Sequence, residues 1–387
     1  MSKTAALLLV LVFMMASCTV IAEPALSSDE IKENSWTTLA SMPTARGGLD
    51  AAVVNGKIYA IGGGVEASNK NEEYDPTTNT WATKADIPTG RSNLVTVTVQ
   101  NKIYAIGGGA DVYPWMPIAK NEVYDPYTNT WATKAEMPTA RDSICANNVN
   151  DQIYVIGGFK LVGPNDVEPS NKTEAYDPIT DTWTVKAEMP YPAVYHSSVV
   201  VGTKIYVLTA PFQIDKDHVV NAPIQIYDTK TDSWSLGSFP PTVQSSADAV
   251  TILNEQGREL IYIFGGGRYD IYPTDLVQIY DPENDVWGVA SPMPTPRYGL
   301  AVVVVNNQVY ALGGVTSGGA YGAILSTNER YIPSESDSSL PTPTPTPTSS
   351  PIPEPEPFPI MPVAAASVAV VASVSAGILV YFKKRKH

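Results

Sequence analysis

A unit of about fifty residues recurs along the chain, and this repeat constrains the fold more than any other feature. Six hydrophobic-Tyr pairs mark it, at Ile58-Tyr59, Ile103-Tyr104, Ile153-Tyr154, Ile205-Tyr206, Ile261-Tyr262 and Val309-Tyr310. Five of the pairs precede Gly-Gly, and the fourth precedes Thr209-Ala210 instead. A Tyr-Asp pair and then a tryptophan follow in five units, with the tryptophans at Trp81, Trp131, Trp183, Trp234 and Trp287. Units of this length cannot bury their hydrophobic faces alone, so neighbouring copies are expected to pack side by side.

Each unit is predicted to form four β-strands. In the first unit, the apolar strand LDAAVVN leads through the turn Asn55-Gly56 to KIYAIGG, and NEEYDP and a strand beginning at Trp81 follow. Asn-Gly is typical of a two-residue β-hairpin turn. A four-stranded sheet exposes two apolar faces, and radial packing of such sheets buries both faces and protects their edges. The repeat therefore favours a propeller.

The succession of hydrophobic-Tyr, Gly-Gly, Tyr-Asp-Pro and Trp resembles the Kelch repeat, from about Trp36 to Pro333. The resemblance implies a β-propeller. Six tyrosine units are followed by only five closing tryptophans, and Trp36 in SWTTLASMP supplies the missing fourth strand. Kelch propellers commonly close their ring with such a strand. The predicted fold is an all-β, six-bladed Kelch-type β-propeller of residues 30–333, with its ring closed by residues 35–41.

Residues 1–22 are predicted to be a secretory signal peptide. Lys3 precedes ALLLVLVFMMA, an apolar run too short to span a bilayer comfortably. Val20-Ile21-Ala22 offers small residues for cleavage after Ala22. An alternative is lipid attachment at Cys18, because Met15-Ala16-Ser17-Cys18 resembles a lipoprotein box.

The segments after the repeats are predicted to anchor the chain in a membrane. Residues 334–362 are rich in Ser, Thr and Pro, and alternating proline favours an extended polyproline II stalk. Residues 363–382 are 20 uncharged residues, enough for a transmembrane helix. The basic tail 383–387 is expected to stay in the cytoplasm, so the propeller would face outward as part of a single-pass cell-membrane protein. This order of segments also resembles prokaryotic sorting tails, which a processing enzyme cuts.

One face of the propeller is predicted to bind the ligand. The turns between third and fourth strands are nearly uniform, whereas the loops between second and third strands differ in length and sequence. Binding residues concentrate on variable loops that a rigid scaffold carries. These loops and the links between blades share one face, whose aromatic candidates are Tyr113, Trp115, Phe212, Tyr269 and Tyr272.

Four units place an arginine three residues after a proline in the link between blades, at Arg46, Arg91, Arg141 and Arg297. The fourth unit has Tyr195-His196 in this region. Because the first strand lines the axis of a propeller, these side chains are expected to ring the channel mouth. Guanidinium groups bind carboxylates through two parallel hydrogen bonds, so the ring predicts an acidic peptide or acidic glycan as ligand. The alternative is that the arginines pair with acidic residues and brace the blade junctions.

Composition and motifs argue against several functions. A net charge of −14 disfavours nucleic-acid binding, which needs a basic surface. Two cysteines, Cys18 and Cys145, exclude a disulfide framework and a cysteine-rich zinc site, and Cys145 is expected to be a core residue. Copper-radical oxidases of the Kelch family need paired His and Tyr ligands, but this domain has only His196 and His218. No catalytic residue, metal or cofactor is therefore predicted.

The sequence thus predicts a monomeric cell-surface module that binds an extracellular protein or an acidic glycan. Asn171, in the sequon Asn171-Lys172-Thr173, is a predicted glycosylation site. The alternative is an extracytoplasmic sugar-modifying enzyme that resembles sialic-acid mutarotases, in which His196 and the arginines would act on a bound sugar.

Overall fold

The computed structural model describes residues 33–64, 68–110, 116–163, 166–208, 212–215, 218–220, 223–242, 244–268, 272–316 and 322–334. They belong to the first of two units into which the chain divides, Met1–Thr342. Every regular element among them is a β-strand, which confirms the predicted all-β class. The predicted signal peptide, the transmembrane segment, the tail and nearly all of the stalk lie outside the described residues. Within the described ranges, no helix is long and apolar enough to cross a bilayer.

Six four-stranded antiparallel sheets follow one another in the described chain. Their strands are β2 (Asp50–Val54), β3 (Lys57–Ile61), β4 (Asn71–Asp75) and β5 (Thr80–Thr83) in the first sheet; β7 (Val95–Val99), β8 (Lys102–Ile106), β11 (Asn121–Asp125) and β12 (Thr130–Thr133) in the second; β14 (Cys145–Val149), β15 (Gln152–Ile156), β18 (Thr173–Asp177) and β19 (Thr182–Val185) in the third; β20 (Ser197–Val201), β21 (Lys204–Leu208), β24 (Gln225–Asp228) and β25 (Ser233–Leu236) in the fourth; β26 (Asp248–Leu253), β27 (Glu259–Phe264), β30 (Val277–Asp281) and β31 (Val286–Val289) in the fifth; and β32 (Ala301–Val305), β33 (Gln308–Leu312), β36 (Asn328–Ile332) and β1 (Ser35–Thr38) in the sixth.

Buried side chains at consecutive positions of the second and third strands give each sheet two buried faces, and this explains how the sheets pack. Within each of six buried clusters, side chains come from two neighbouring sheets. The tryptophan of each fourth strand reaches the preceding sheet. Trp81 Nε1, for example, donates to the carbonyl of Ala40 at 2.8 Å. Because the indole ring is also apolar, the same side chain fills the junction and satisfies its N–H.

The sixth sheet joins the two ends of the repeat region. β1 pairs antiparallel with β36, from Ser35 opposite Ile332 to Thr38 opposite Glu329. Trp36 Nε1 donates to the carbonyl of Ser291 in the link after the fifth sheet, just as Trp81 Nε1 donates to a carbonyl that follows the sixth sheet's strand β1. Asn34 Oδ1 accepts from Tyr331 Oη at 2.9 Å and from Ser291 N at 3.0 Å. The N-terminal strand thus makes the contacts of a fourth strand.

The first strands of all six sheets contact one another in turn: β2 with β7, β7 with β14, β14 with β20, β20 with β26, β26 with β32, and β32 with β2. Backbone hydrogen bonds link the residues just before these strands. Asn93 N donates to Gly48 O at 2.8 Å, and Gly48 N donates to Gly299 O at 2.9 Å. The start of every first strand therefore lies near a common axis.

Short hairpins follow the second strands in five of the six units. Their strands are β9 (Gly109–Ala110), β10 (Met116–Pro117), β16 (Phe159–Leu161), β17 (Val167–Pro169), β22 (Phe212–Asp215), β23 (His218–Val220), β28 (Gly267–Arg268), β29 (Tyr272–Pro273), β34 (Val315–Thr316) and β35 (Ala323–Ile324). Two short strands of the links between sheets, β6 (Arg91–Ser92) and β13 (Arg141–Asp142), pair with β9 and β16. Asp50 pairs with Ile61 in the first sheet, so each second strand ends where the first strand begins. The hairpins therefore leave the sheets at the end where the links between sheets also lie.

Candidate functional site

An axial cavity of about 250 Å³ lies at the end of the molecule from which the hairpins leave. Its walls are the links between sheets and the first residues of the first strands, including Asp50, Cys145, His196 and Asp248. Six link residues surround it, and each has a positive φ between 50° and 64°: Gly48, Asn93, Ser143, Tyr195, Ser246 and Gly299. The cavity thus lies on the face that the sequence predicted to bind ligand.

Asp50 and Asp248 bring two carboxyl groups to this cavity. Asp50 Oδ1 accepts from Ala51 N at 2.7 Å, and its Oδ2 accepts from the backbone N and the hydroxyl of Thr96 in the next sheet. Asp248 bridges in the same way, from Ala249 N at 2.8 Å to Val302 N at 2.6 Å. Each carboxyl group therefore connects two neighbouring first strands beside the axis.

Burial raises the pKa of both carboxyl groups. Loss of hydration raises the pKa of Asp50 to about 6, although the hydrogen bonds from Thr96 and Ala51 oppose this shift. Loss of hydration, together with repulsion from Asp50, raises the pKa of Asp248 to about 7. Both groups thus exchange protons in the neutral range, which an exposed aspartate does not do.

Cys145 and His196 form a second polar pair in the cavity wall. Cys145 Sγ lies 3.0 Å from His196 Nε2, across the junction of the third and fourth sheets. Burial raises the pKa of the Cys145 thiol to about 12 and lowers the pKa of His196 to about 4. Both groups are therefore uncharged at neutral pH, and the pair lacks the thiolate that a nucleophilic cysteine needs. The prediction that Cys145 is a buried strand residue is confirmed.

These polar residues depart from the repeat. The position of Asp50, Cys145 and Asp248 at the start of the first strand is Val95 in the second sheet, Ser197 in the fourth and Ala301 in the sixth. Neither aspartate is among the residues that the sequence predicts to bind ligand. Comparing the units at this position would have found them, because only the first and fifth units place a carboxyl group there.

The prediction that four arginines ring the channel mouth is wrong. Arg46, Arg91, Arg141 and Arg297 all have 0% of their surface exposed, so they are not presented at a channel mouth. Each pairs with a buried glutamate of the third strand in its own unit, at 2.5–2.7 Å: Arg46 with Glu72, Arg91 with Glu122, Arg141 with Glu174 and Arg297 with Glu329. Other Nη hydrogens of these guanidinium groups go to backbone carbonyls, as from Arg46 Nη1 to Ala60 O, whereas the four Nε atoms have no hydrogen-bond partner among the described residues. The arginines therefore brace the sheets, as the alternative proposed.

The two units without this arginine also lack the glutamate. Ala193 and Gln244 occupy the arginine position, and Gln225 and Gln278 occupy the glutamate position. In the fifth unit, Gln278 Nε2 donates to Gln244 Oε1 at 3.2 Å. A charged pair is thus replaced as a pair, as expected where an unpaired buried charge is costly.

Tyr195 and His196, which were predicted as ligand-binding residues, do line the cavity. The Tyr195 ring contacts Phe159 edge to face, with ring centroids 5.5 Å apart. Tyr272 is 68% exposed on hairpin strand β29. Tyr113, Trp115 and Tyr269 lie outside the described residues, and Phe212 is described only as part of the backbone of β22.

Asn171 lies just before β18 and is partly exposed. Its Nδ2 donates to Glu188 Oε2 at 3.1 Å, and Thr173 of the sequon is fully buried. Glycosylation at Asn171 would replace this hydrogen bond, and it stays a prediction.

The hairpins carry a second feature of the same face, a set of exposed apolar side chains. They are Leu161, Val162, Val167, Tyr272 and Ile324. We call this set the rim. Together with the cavity, the rim can contact a ligand much larger than the cavity itself. In the described part of the chain, no group of three or more His, Cys, Asp or Glu side chains is placed to hold a metal ion.

Known proteins match both the sequence and the structure. The Kelch motif matches residues 45–87, 90–138 and 296–337, and the KLHDC2/KLHL20/DRC7 Kelch-repeats domain matches residues 122–314. Kelch-like protein 35 of Mus musculus is 30% identical over 156 residues, 40% of this chain and 25% of that protein. Alpha-scruin of Limulus polyphemus is 28% identical over 148 residues, 37% of this chain and 15% of that protein. The matched segments thus span a quarter or less of these relatives.

A solved structure, that of YjhT, superimposes with a TM-score of 0.63 over 75% of this chain and 95% of that chain. The two sequences are 17% identical, so this likeness shows the fold alone. The repeated motif, the four-stranded sheets and these matches lead to one conclusion: the chain belongs to the Kelch-repeat family.

Proposed function

We propose that the protein is a recognition module that binds a protein partner through the rim and the axial cavity. The exposed apolar rim carries this proposal, because apolar side chains on variable hairpins are typical of interaction surfaces. The similarity to Kelch-like protein 35 supports the family assignment but covers only 25% of that protein. An acidic ligand held by the four arginines is no longer supported, since all four guanidinium groups are buried.

We further infer that the six sheets are the blades of a six-bladed propeller whose ring β1 closes. The pairing of β1 with β36 and the contacts between successive first strands support this arrangement. A closed ring holds the rim hairpins at fixed spacing, which favours binding without rearrangement of the scaffold. The predicted stalk and transmembrane segment would present this face outside the cell.

The test compares two faces of the same molecule. The rim variant replaces Val162, Tyr272 and Ile324 by serine in the full chain. The control variant replaces Tyr127 and Ile179, which are 97% and 78% exposed in the uniform turns of the opposite face. Both variants remove exposed apolar surface, so a loss of non-specific hydrophobic binding would affect them alike.

Wild type and variants are applied to an array of extracellular proteins and glycans. We expect protein ligands that the control variant retains and the rim variant loses. Equal binding by the two variants, or loss in the control variant alone, would contradict the proposed face. Binding only to glycans would contradict a protein partner.

A sugar-modifying enzyme is the second candidate, and one observation favours it. Asp50 and Asp248 place carboxyl groups that titrate near neutral pH in the cavity wall, as general acid–base catalysis requires. Interconversion of sialic-acid anomers, followed by NMR with wild type and Asp248→Asn, tests this function. Acceleration that the variant loses would support an enzyme, and no acceleration by wild type would exclude this reaction.

A further inference from the structure

The axial cavity combines hydrogen-bond acceptors with an absence of fixed positive charge. Asp50 and Asp248 contribute carboxyl oxygens. Among its described lining residues there is no Lys or Arg. Arg141 acts electrostatically on Cys145 and His196 from outside the cavity, but its charge is neutralised by Glu174 at 2.7 Å. The two carboxylates therefore have no cationic partner in the wall.

Two further buried groups in the wall have unused hydrogen-bonding capacity. Ser143 and His196 are each 7% exposed, and Ser143 Oγ and His196 Nδ1 have no hydrogen-bond partner among the described residues. His196 is hydrogen-bonded to the Ile156 backbone, and its Nε2 lies 3.0 Å from Cys145 Sγ, so the ring proton is assigned to Nε2. His196 Nδ1 is then a bare acceptor. Buried polar groups are usually paired, and Ser143 Oγ and His196 Nδ1 can each accept a hydrogen bond from a ligand in the cavity.

The size of the cavity limits what that partner can be. Its volume of about 250 Å³ lies below the roughly 300–1,000 Å³ typical of pockets for drug-sized ligands. It suits one small molecule or the end of one long side chain. An ammonium or guanidinium group offers several N–H donors and no acceptor, which complements a wall of acceptors.

We propose that the axial cavity binds a cationic group, an ammonium or guanidinium, between Asp50 and Asp248, with Ser143 and His196 as further acceptors. A lysine or arginine side chain of a partner would supply it if the partner docks on the rim, so this source rests on the proposed function. A free small amine carries the same chemistry. Binding would favour the ionised carboxyl groups and would release protons near neutral pH.

The test is calorimetric titration of the full chain at about pH 8, where the carboxyl groups are ionised. The probes are n-butylammonium, an acetylated and amidated Gly-Lys-Gly peptide, and butyramide as a neutral molecule of similar size. We expect the cationic probes to bind at least about tenfold more tightly than butyramide. Asp50→Asn/Asp248→Asn should remove this preference, and Asp151→Asn, on an exposed turn of the opposite face, should keep it.

Several results would overturn the site: no binding of either cation, equal affinity for butyramide, or unchanged affinity in the double variant. If the double variant does not fold, the wild type decides, because protonation near pH 4.5 should abolish cation binding. Binding of butylammonium alone assigns the site to small amines, and binding of the peptide assigns it to a partner's side chain. If the array shows no protein ligand that depends on the rim, and the cationic probes still bind, the proposed function alone is refuted.

Discussion

Replacing Arg46 by glutamine tests how the buried ion pairs stabilise the fold. Arg46 Nη2 lies 2.7 Å from Glu72 Oε2, and Arg46 Nη1 donates to the carbonyls of Ala60, Gly62 and Lys70 at 3.0–3.3 Å. Arg46→Gln leaves the Glu72 carboxylate buried without its cation. Removing one partner of a buried pair costs about 3–5 kcal/mol, so we expect the free energy of unfolding to fall by that amount.

The fifth unit suggests the compensating change. Because Gln244 and Gln278 already occupy the equivalent positions and hydrogen-bond to each other, Arg46→Gln/Glu72→Gln should reproduce a native arrangement. The double variant removes the unpaired charge but still leaves carbonyls without a donor. We expect it to lose about 1–3 kcal/mol, less than either single variant.

Equilibrium urea denaturation of wild type, both single variants and the double variant gives the coupling energy of the pair. Intrinsic tryptophan fluorescence reports the transition, since the tryptophans pack at the junctions between sheets. A loss below about 1 kcal/mol for Arg46→Gln, or a double variant as unstable as the sum of the single variants, would refute the bracing role.

Three further predictions concern other parts of the scaffold. Because burial holds the pKa of Asp248 near 7, above the 3.8 of an exposed aspartate, its ionisation destabilises the fold as pH rises from about 4 to 7. Asp248→Asn should therefore reduce the fall in unfolding free energy between pH 5 and pH 8 by roughly 2 kcal/mol, and an unchanged pH profile in urea denaturation would contradict this. Gly157→Ala should cost more than about 2 kcal/mol in the same assay, since the new Cβ would lie 2.6 Å from His196 Cε1 at a φ of +66°. Gly56→Ala is its control, at a φ of +74° with no atom within 4 Å, and a similar cost for both would show that backbone strain alone acts. Asn34→Ala removes an acceptor of two hydrogen bonds in the sixth sheet, so hydrogen exchange at Ser291 should speed up while exchange in the first sheet stays constant.

The sequence was sufficient to predict the repeating unit because each unit carries its own signals. Asn55-Gly56 sets a hairpin, and tyrosines and tryptophans mark the strands that pack at the junctions. The sequence also predicts that Trp36 belongs to a fourth strand, because the last unit lacks a tryptophan and Trp36 precedes the first unit, and β1 does pair with β36.

The candidate site was harder to predict because its chemistry depends on contacts between distant residues. The sequence predicts exposed arginines at the channel mouth, because the spacing of residues does not show which side chains they contact in the fold. The sequence does contain a signal of this pairing. The residue two positions before the third-strand tyrosine is glutamate in the four units with arginine, and it is Gln225 or Gln278 in the two units without it. Cys145 and His196, which are in contact, lie 51 positions apart in the sequence, and no repeated pattern links the two positions. Similarly, the raised pKa of Asp50 follows from burial, which no local pattern around it encodes.

The pairing of Ser35 with Ile332 has a mechanical consequence. Both ends of the β-sheet region leave from the same rung of the same sheet. Tension across the two ends would load that rung first and open the ladder one hydrogen-bond pair at a time. Tension applied beyond Ile332 against the body of the molecule would act on β36, which is held on both sides by β1 and β33. A pull from the C-terminal side alone would thus be shared between two ladders, and the N-terminal strand would serve as a second support for the strand that bears the force.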